Sequence, residues 1–165
     1  MIILDTSAAI SLSITELLGK TLENHSVHTT EQVVNELKEI SQEEDYLAEA
    51  AATILEKQGK ITLHSTDFER FQTSRIDSGE ASCLALTREI EAEFILTDDL
   101  HAMAEIRKLS TTEAAISPTI LQAMVENNTL TKEEAMDKID QLAETRSWLG
   151  TPIYKKAKKQ LEENL

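Results

Sequence analysis

Met1-Ile2-Ile3-Leu4-Asp5-Thr6-Ser7 opens the chain with an apolar run that ends at a carboxylate. A continuous run of aliphatic residues is typical of a strand that is buried on both faces of a parallel sheet. Residues 7–18 then carry apolar side chains at helical spacing, and we predict a helix that ends at Gly19. The chain therefore begins with a strand and a helix, and Asp5 lies where the strand ends.

Strands and helices alternate along the sequence that follows. Further short strands are predicted at residues 25–28, 61–64 and 94–96, with helices between and after them. This order is typical of an α/β fold, because parallel strands need a crossover connection that is usually a helix. We therefore predict a three-layer α/β sandwich with a mainly parallel central sheet.

Capping residues mark the starts of the predicted helices. Thr29 or Thr30 precedes an amphipathic segment and is a suitable N-cap. Ser41 and Glu44 have the spacing of a capping box, which predicts a helix that runs to Gly59. Caps and prolines predict further helix starts at Asp77, at Asp98 or Asp99, at Pro118, at Thr131 and at Pro152.

Composition narrows the class of protein. A chain of 165 residues with 41% hydrophobic residues suits one domain, which we predict to span residues 1–165, with a core at 1–115 and a helical extension at 116–165. The single cysteine, Cys83, forbids an internal disulfide and suits a buried apolar position. No signal peptide or membrane-spanning run is visible, so we expect a cytoplasmic protein without membrane contact.

The net charge of -14 argues against simple electrostatic binding of nucleic acid, because phosphates are attracted by Lys and Arg. Two considerations weaken this argument. Bound cations would mask several acidic groups, and the positive charge is uneven. Lys155, Lys156, Lys158 and Lys159 cluster near the C-terminus, a pattern that also fits an ordinary solvated helix end.

Acidic residues recur at predicted strand ends and on or at the start of predicted helices. Asp5 follows the first strand, Glu36 lies on the second helix, Glu80 opens a later helix, and Asp98 and Asp99 follow residues 94–96. Ligands of open α/β sheets bind beyond the carboxyl ends of the strands. Carboxylates gathered there repel one another unless a hard cation neutralises them, so the pattern predicts Mg²⁺ or Mn²⁺ and metal-assisted phosphodiester hydrolysis by a nuclease.

The fragments that carry these acids resemble the PIN-domain family, the metal-dependent ribonuclease fold. They are Ile3-Leu4-Asp5-Thr6-Ser7, Val33-Val34-Asn35-Glu36-Leu37, Asp77-Ser78-Gly79-Glu80-Ala81 and Ile95-Leu96-Thr97-Asp98-Asp99. The resemblance covers residues 1–109 and points to a prokaryotic subgroup that is toxin-like or uncharacterised. It implies a PIN-like sandwich with extra C-terminal helices.

The resemblance also implies a role for each acid. Asp5, Glu36, Glu80 and Asp99 would be the catalytic metal ligands, and Asp98 would be a further ligand. Residues that hydrogen-bond to ligands orient them, and those implied here are Thr6, Ser7, Thr97 and Asp77.

Each acid has a purely structural interpretation as well. Asp5 fits a strand-end cap, Glu36 fits a solvated helix surface, and Glu80 fits the closing residue of a capping box. We expect one of Asp98 and Asp99 to cap its helix while the other binds metal, and Asp99 is the predicted ligand.

The leading hypothesis is a Mg²⁺- or Mn²⁺-dependent endoribonuclease, with the toxin of a toxin–antitoxin pair as one form of it. The alternative is a catalytically weak or inactive PIN-type module that binds protein or RNA, and a third is another metal-dependent phosphohydrolase. P-loop and dinucleotide-binding glycine motifs are missing from the sequence. The resemblance implies an RNA substrate, a homodimer and, in the toxin form, an antitoxin partner.

Overall fold

The computed structural model describes residues 1–163, within which the chain forms five strands and nine α-helices. The strands are β1 (Ile2–Leu4), β2 (Val27–Thr30), β3 (Thr62–His64), β4 (Phe94–Leu96) and β5 (Glu113–Ala115). The helices are α1 (Thr6–Ile14), α2 (Leu18–Asn24), α3 (Glu31–Ile40), α4 (Tyr46–Glu56), α5 (Ser78–Leu86), α6 (Leu100–Leu109), α7 (Pro118–Glu126), α8 (Lys132–Thr145) and α9 (Pro152–Glu163). Short 3₁₀ turns occur at Gln58–Lys60 and Glu69–Phe71.

The strands form one sheet in the order β3-β2-β1-β4-β5, and every pairing is parallel. β1 is the central strand, where Ile3 pairs with His28 on one side and with Ile95 on the other. All three residues of β1 are buried, as the aliphatic run predicts. The parallel sheet with flanking helices confirms the predicted α/β sandwich, and it places Asp5 directly after the middle strand.

Two strands differ from the sequence prediction. β2 lies two residues later than expected, because Thr29 and Thr30 continue the extended chain and the Thr29 hydroxyl donates to the Leu4 carbonyl at 2.7 Å. β5 was not predicted, because Glu113–Ala115 lacks the β-branched and aromatic residues that mark strands. Its register against β4, with Ala114 opposite Ile95, is set by tertiary pairing.

The first predicted helix is in fact two helices. α1 ends at Ile14, where the Thr15 hydroxyl donates back to the Ser11 carbonyl and Glu16 adopts a left-handed backbone with φ of 59°. A hydroxyl that bonds to the preceding turn weakens a helix, and a left-handed residue ends it. Gly19 consequently lies inside α2, and the expected C-cap at this glycine was wrong.

The predicted helix start at Ser41 was also wrong. Ser41 is the C-cap of α3, and its hydroxyl donates to the Lys38 carbonyl at 2.8 Å. α4 begins later, where the Asp45 carboxylate accepts the Ala48 N–H at 2.9 Å. Predicted caps that the structure confirms are Thr30, Asp77 with Glu80, Asp99, and Thr131 with Glu134.

Helix packing brings the acid-bearing elements together. α3 packs against α1 and α4 through an apolar face that buries Val33, Val34 and Leu37. α3 also packs against α5, which itself packs on β1 and β2. Glu36 on α3 therefore lies near the start of α5 and the end of β1.

The chain divides into two compact units, Met1–Ala115 and Ile116–Leu165. In the second unit, α8 and α9 each pack on α7 and on one another, and they bury Met124, Ile139, Leu142 and Leu161. The assignment of the whole chain to one domain stays a prediction.

The helices within residues 1–163 are all too short or too polar to cross a membrane.

Candidate active site

Asp5 is the most deeply buried acid of the site, with 3% of its surface exposed. It is the N-cap of α1, and one carboxylate oxygen, Oδ2, accepts bonds from the Ser7 hydroxyl at 2.7 Å and the Thr97 hydroxyl at 3.1 Å. Burial raises the pKa of Asp5 to about 6, the two hydroxyls oppose the rise, and the nearby carboxylates of Asp77 and Glu36 add to it.

Glu36 reaches from α3 toward two other elements. Its Oε2 atom accepts the Thr6 hydroxyl at 2.6 Å, and its Oε1 atom accepts the Ser78 hydroxyl at 3.2 Å. Burial is the main cause that raises the pKa of Glu36, and repulsion from Asp77 adds to it. Glu36 thus joins the start of α1 to the start of α5, rather than lying on a solvated helix face.

Glu80 and Asp77 form the predicted capping box at the start of α5. The Asp77 carboxylate accepts the Glu80 N–H at 2.9 Å, and the Glu80 carboxylate accepts the Asp77 N–H at 3.0 Å. Glu80 is nevertheless only 7% exposed. Burial raises its pKa to about 8, and the charges of Asp5, Asp77 and Asp99 contribute to the rise. A carboxyl group with this pKa is largely protonated at neutral pH.

Asp98 and Asp99 point to different neighbours. Asp98 is buried, and its Oδ2 atom accepts the Ser11 hydroxyl of α1 at 2.6 Å. Asp99 is exposed and caps α6, where its Oδ1 atom accepts the N–H groups of His101 and Ala102 at 2.7 and 3.0 Å. The structure therefore gives the capping role to Asp99, the residue expected to bind metal, although Asp99 is also close enough to raise the pKa of Glu80.

The structure brings five carboxylates into one electrostatic neighbourhood. The five acids are Asp5, Glu36, Asp77, Glu80 and Asp99. The pKa values of Asp5, Glu36 and Glu80 are raised, and the charges of other acids in the group cause part of each rise. Their hydrogen-bond donors within residues 1–163 are hydroxyls and backbone N–H groups, without a Lys or Arg among them. The repulsion is therefore not relieved by a basic side chain.

The nearest arginine in the sequence does not neutralise the acids. Arg75 is two residues before Asp77, but its guanidinium pairs with Glu105 at 3.2 Å, and its side chain is 71% exposed. Lys108 also pairs with Glu105, at 2.9 Å. Both cations therefore pair with Glu105 on α6 and not with the acids of the site.

The donor chemistry of the site fits a hard divalent cation. All the charged groups are carboxylates, which is the ligand type that Mg²⁺ and Mn²⁺ prefer. Over residues 1–163, however, no three carboxylate, imidazole or thiol groups already converge closely enough to hold an ion. Serine and threonine hydroxyls occupy one oxygen of Asp5 and both oxygens of Glu36. Ion binding would thus require the acids to converge further, through Oδ1 of Asp5 and the remaining lone pairs of the oxygens that accept hydroxyls.

Two residues of the site were not singled out from the sequence. The Ser78 hydroxyl contacts Glu36, and the Ser11 hydroxyl contacts Asp98. Serine is common at helix starts and within helices, so its type carried no information about either contact. The four orienting residues predicted with the acids, Thr6, Ser7, Thr97 and Asp77, each contact or cap one of the acidic elements.

A family model described as DUF3368: PIN domain matches residues 1–163. No curated protein matches the chain.

Proposed function

Because the chain belongs to the PIN-domain family, whose members are generally nucleases, we propose that it is an endoribonuclease that hydrolyses RNA with Mg²⁺ or Mn²⁺. The observation that carries the proposal is the group of crowded carboxylates beyond the central strand. Burial and mutual repulsion raise the pKa of Asp5 to about 6 and that of Glu80 to about 8. Strongly perturbed pKa values in a cluster of acids are typical of functional sites.

The proposed metal ligands are those that the sequence predicted. Asp5, Glu36, Glu80 and Asp99 would hold the ion, and Asp98 would supply a further oxygen. A bound divalent cation would activate water and stabilise the negative charge that develops on the phosphate. The orienting residues are Thr6, Ser7, Thr97 and Asp77, through the hydrogen bonds given above.

The surrounding residues restrict the movement of Asp5 and raise the pKa of Glu80. Asp5 is fixed by two hydroxyls and by its position between a central strand and α1, so its carboxylate has little freedom to move. Burial raises the pKa of Glu80 to about 8, so this carboxyl group would have to give up its proton to ligate a cation. Cation binding and proton loss would therefore be coupled at this site.

The charge of the first unit makes RNA binding depend on cations. Residues 1–115 contain 22 acidic and 9 basic side chains, so RNA phosphates meet a strongly negative surface. Divalent ions at the site would reverse the charge locally, where the scissile phosphate must bind. We accordingly propose that RNA affinity, and not only catalysis, is lost when divalent ions are removed.

Two observations favour a second candidate function. The absence of pre-converged ligands within residues 1–163 and the strong acidity of residues 1–115 also suit a catalytically weak or inactive PIN-type module that binds protein or RNA. Metal-dependent cleavage separates the two candidates, since only the nuclease requires it.

The test is cleavage of end-labelled single-stranded RNA with Mg²⁺, with Mn²⁺ and with EDTA. We expect cleavage only with a divalent ion, and we expect Asp5→Asn to abolish it. The matched control is Asp45→Asn, because Asp45 is also an aspartate N-cap but lies exposed at the start of α4. RNA that stays intact with both ions, or an Asp5→Asn variant that cleaves like the wild type, would reject the nuclease assignment.

The finer proposals concern cellular role and assembly. We propose that the protein is the toxin of a toxin–antitoxin pair and acts in the cytoplasm as a homodimer. A neighbouring small reading frame whose product suppresses RNA cleavage by the purified protein would support the toxin role. Light scattering on the purified protein tests the homodimer, and a monomer at micromolar concentration would contradict it.

A further inference from the structure

Gly79, the second residue of α5, lies unusually close to Glu36. A Cβ atom built on Gly79 would be 2.3 Å from Glu36 Oε2, 2.6 Å from Oε1 and 2.7 Å from the carboxylate carbon. Carbon and oxygen atoms that are not bonded do not approach this closely. The carboxylate of Glu36 therefore occupies the space that any other residue at position 79 would fill with its side chain.

This contact fixes where Glu36 can be. The first N–H groups of a helix have no partner within the helix, and a carboxylate is stabilised beside them. A backbone hydrogen bond from Gly79 and the Ser78 hydroxyl both lower the pKa of Glu36 against the larger effect of burial. Thr6, beside Asp5 in the sequence, holds the other oxygen at 2.6 Å. Glu36 thus lies in a cradle of Thr6, Ser78 and Gly79.

A side chain at position 79 would displace the Glu36 carboxylate from the cradle. The three atoms nearest to a new Cβ all belong to the end of a flexible side chain, and not to backbone. The backbone of α5 can therefore accept alanine while the Glu36 carboxylate moves aside. Alanine also favours helix more than glycine does, so the fold gains rather than loses from the change itself. The expected damage is local and falls on Glu36.

We infer that Gly79 is a positioning residue, whose missing side chain lets Glu36 rest on the start of α5 and face Asp5 across the site. The inference concerns the site of the proposed nuclease and rests on that function for its catalytic meaning. Gly79 touches no substrate atom in this scheme and acts only through Glu36.

The first experiment compares metal-free crystal structures of the wild type and Gly79→Ala. We expect the Glu36 carboxylate to leave the Thr6 and Ser78 hydroxyls in the variant, while α5 keeps its course. An unmoved Glu36 beside the new methyl group would overturn the inference. This comparison requires no ion and no RNA, so it decides the positioning role even if the wild type proves not to be a nuclease.

The second experiment measures Mn²⁺ affinity by calorimetry. We expect Gly79→Ala to weaken binding by about 10- to 100-fold, the range typical of lost support around a metal ligand. The control is Gly19→Ala, since Gly19 also lies in a helix but a Cβ there meets nothing within 4 Å. We expect this control to bind like the wild type. Wild-type affinity in Gly79→Ala would contradict the inference, whereas a wild type that binds no Mn²⁺ would contradict the proposed function instead.

A double variant separates action through Glu36 from other effects. In the Glu36→Ala background the carboxylate is gone, so adding Gly79→Ala should change Mn²⁺ affinity by less than about twofold. A further tenfold loss in that background would show that Gly79 acts elsewhere. If Gly79→Ala alone failed to fold, recovery of folding in the double variant would still identify Glu36 as the clashing group, and failure of both would overturn the inference.

Discussion

Asp5→Asn should make the metal-free protein more stable while it removes the proposed activity. Asparagine has nearly the same shape as aspartate and is an equally good N-cap, so α1 keeps its start. It carries no charge, however, and the buried site no longer contains an ionised Asp5 that is repelled by Asp77 and Glu36. The wild-type acid therefore costs stability that the variant recovers.

The size of the effect follows from the pKa of Asp5. The value rises from 3.8 to about 6 on folding, and each tenfold change in proton affinity corresponds to about 1.4 kcal/mol. Ionising Asp5 thus costs the folded state about 3 kcal/mol at pH 8. Between these two pKa values the folded protein binds more protons than the unfolded chain, so stability falls as the pH rises through this window. At pH 5 the cost is about 1.5 kcal/mol, and it vanishes below pH 4.

The assay is urea unfolding in EDTA at pH 8 and pH 5, with Asp45→Asn as the exposed control. We expect Asp5→Asn to raise the free energy of unfolding by up to about 3 kcal/mol at pH 8 and by about half as much at pH 5, and we expect the control to stay within about 0.5 kcal/mol. Saturating Mn²⁺ should remove or reverse the advantage, because only the wild type gains binding energy. A variant no more stable than the wild type at pH 8, or a gain independent of pH, would refute the reasoning.

Three further predictions concern neighbouring groups. Mn²⁺ binding at pH 7 should release close to one proton, mainly from Glu80, and calorimetry in buffers of different ionisation enthalpy measures this number; zero release would contradict the raised pKa. Thr97→Val removes a hydroxyl that lowers the pKa of Asp5, so the carboxyl titration followed by NMR should move further up, and a downward shift would be inconsistent with the hydrogen bond. Asp77→Ala removes the cap of α5 but also relieves its repulsion of the other site acids, so we expect it to cost less in urea unfolding than the loss of about 1 kcal/mol expected for Thr131→Ala at the start of α8; a larger loss than that of Thr131→Ala would contradict the repulsion.

Local patterns in the sequence were sufficient to predict the central strand of the sheet and most helix starts. The aliphatic run before Asp5 identifies a strand buried on both faces, and the Asp77–Glu80 spacing identifies a helix start whatever lies around it. β5 was missed because alanine-rich Glu113–Ala115 becomes a strand only through its pairing with β4. The strand propensities of these residues alone do not indicate that they pair with another strand.

The proposed site was less accessible from sequence, because its contacts join distant segments. Glu36 and Ser78 are 42 residues apart, and Asp5 and Thr97 are 92 apart. The sequence indicated which acids to consider, through their places at strand ends and helix starts. It did not indicate that Gly79 provides the space for Glu36, since a glycine near a helix start has several ordinary explanations.

Asp99 shows why capping and metal binding need not exclude one another. We expected Asp98 and Asp99 to divide the two tasks, yet both capping bonds of Asp99 end on the same oxygen, Oδ1, so Oδ2 of this exposed carboxylate takes no part in the cap. Asp99 also lies close enough to Glu80 to raise its pKa. A single carboxylate can therefore hold α6 with one oxygen and offer the other to a cation. Asp98, by contrast, is buried and directs one oxygen to Ser11 inside the protein, so it is less accessible to a cation than Asp99.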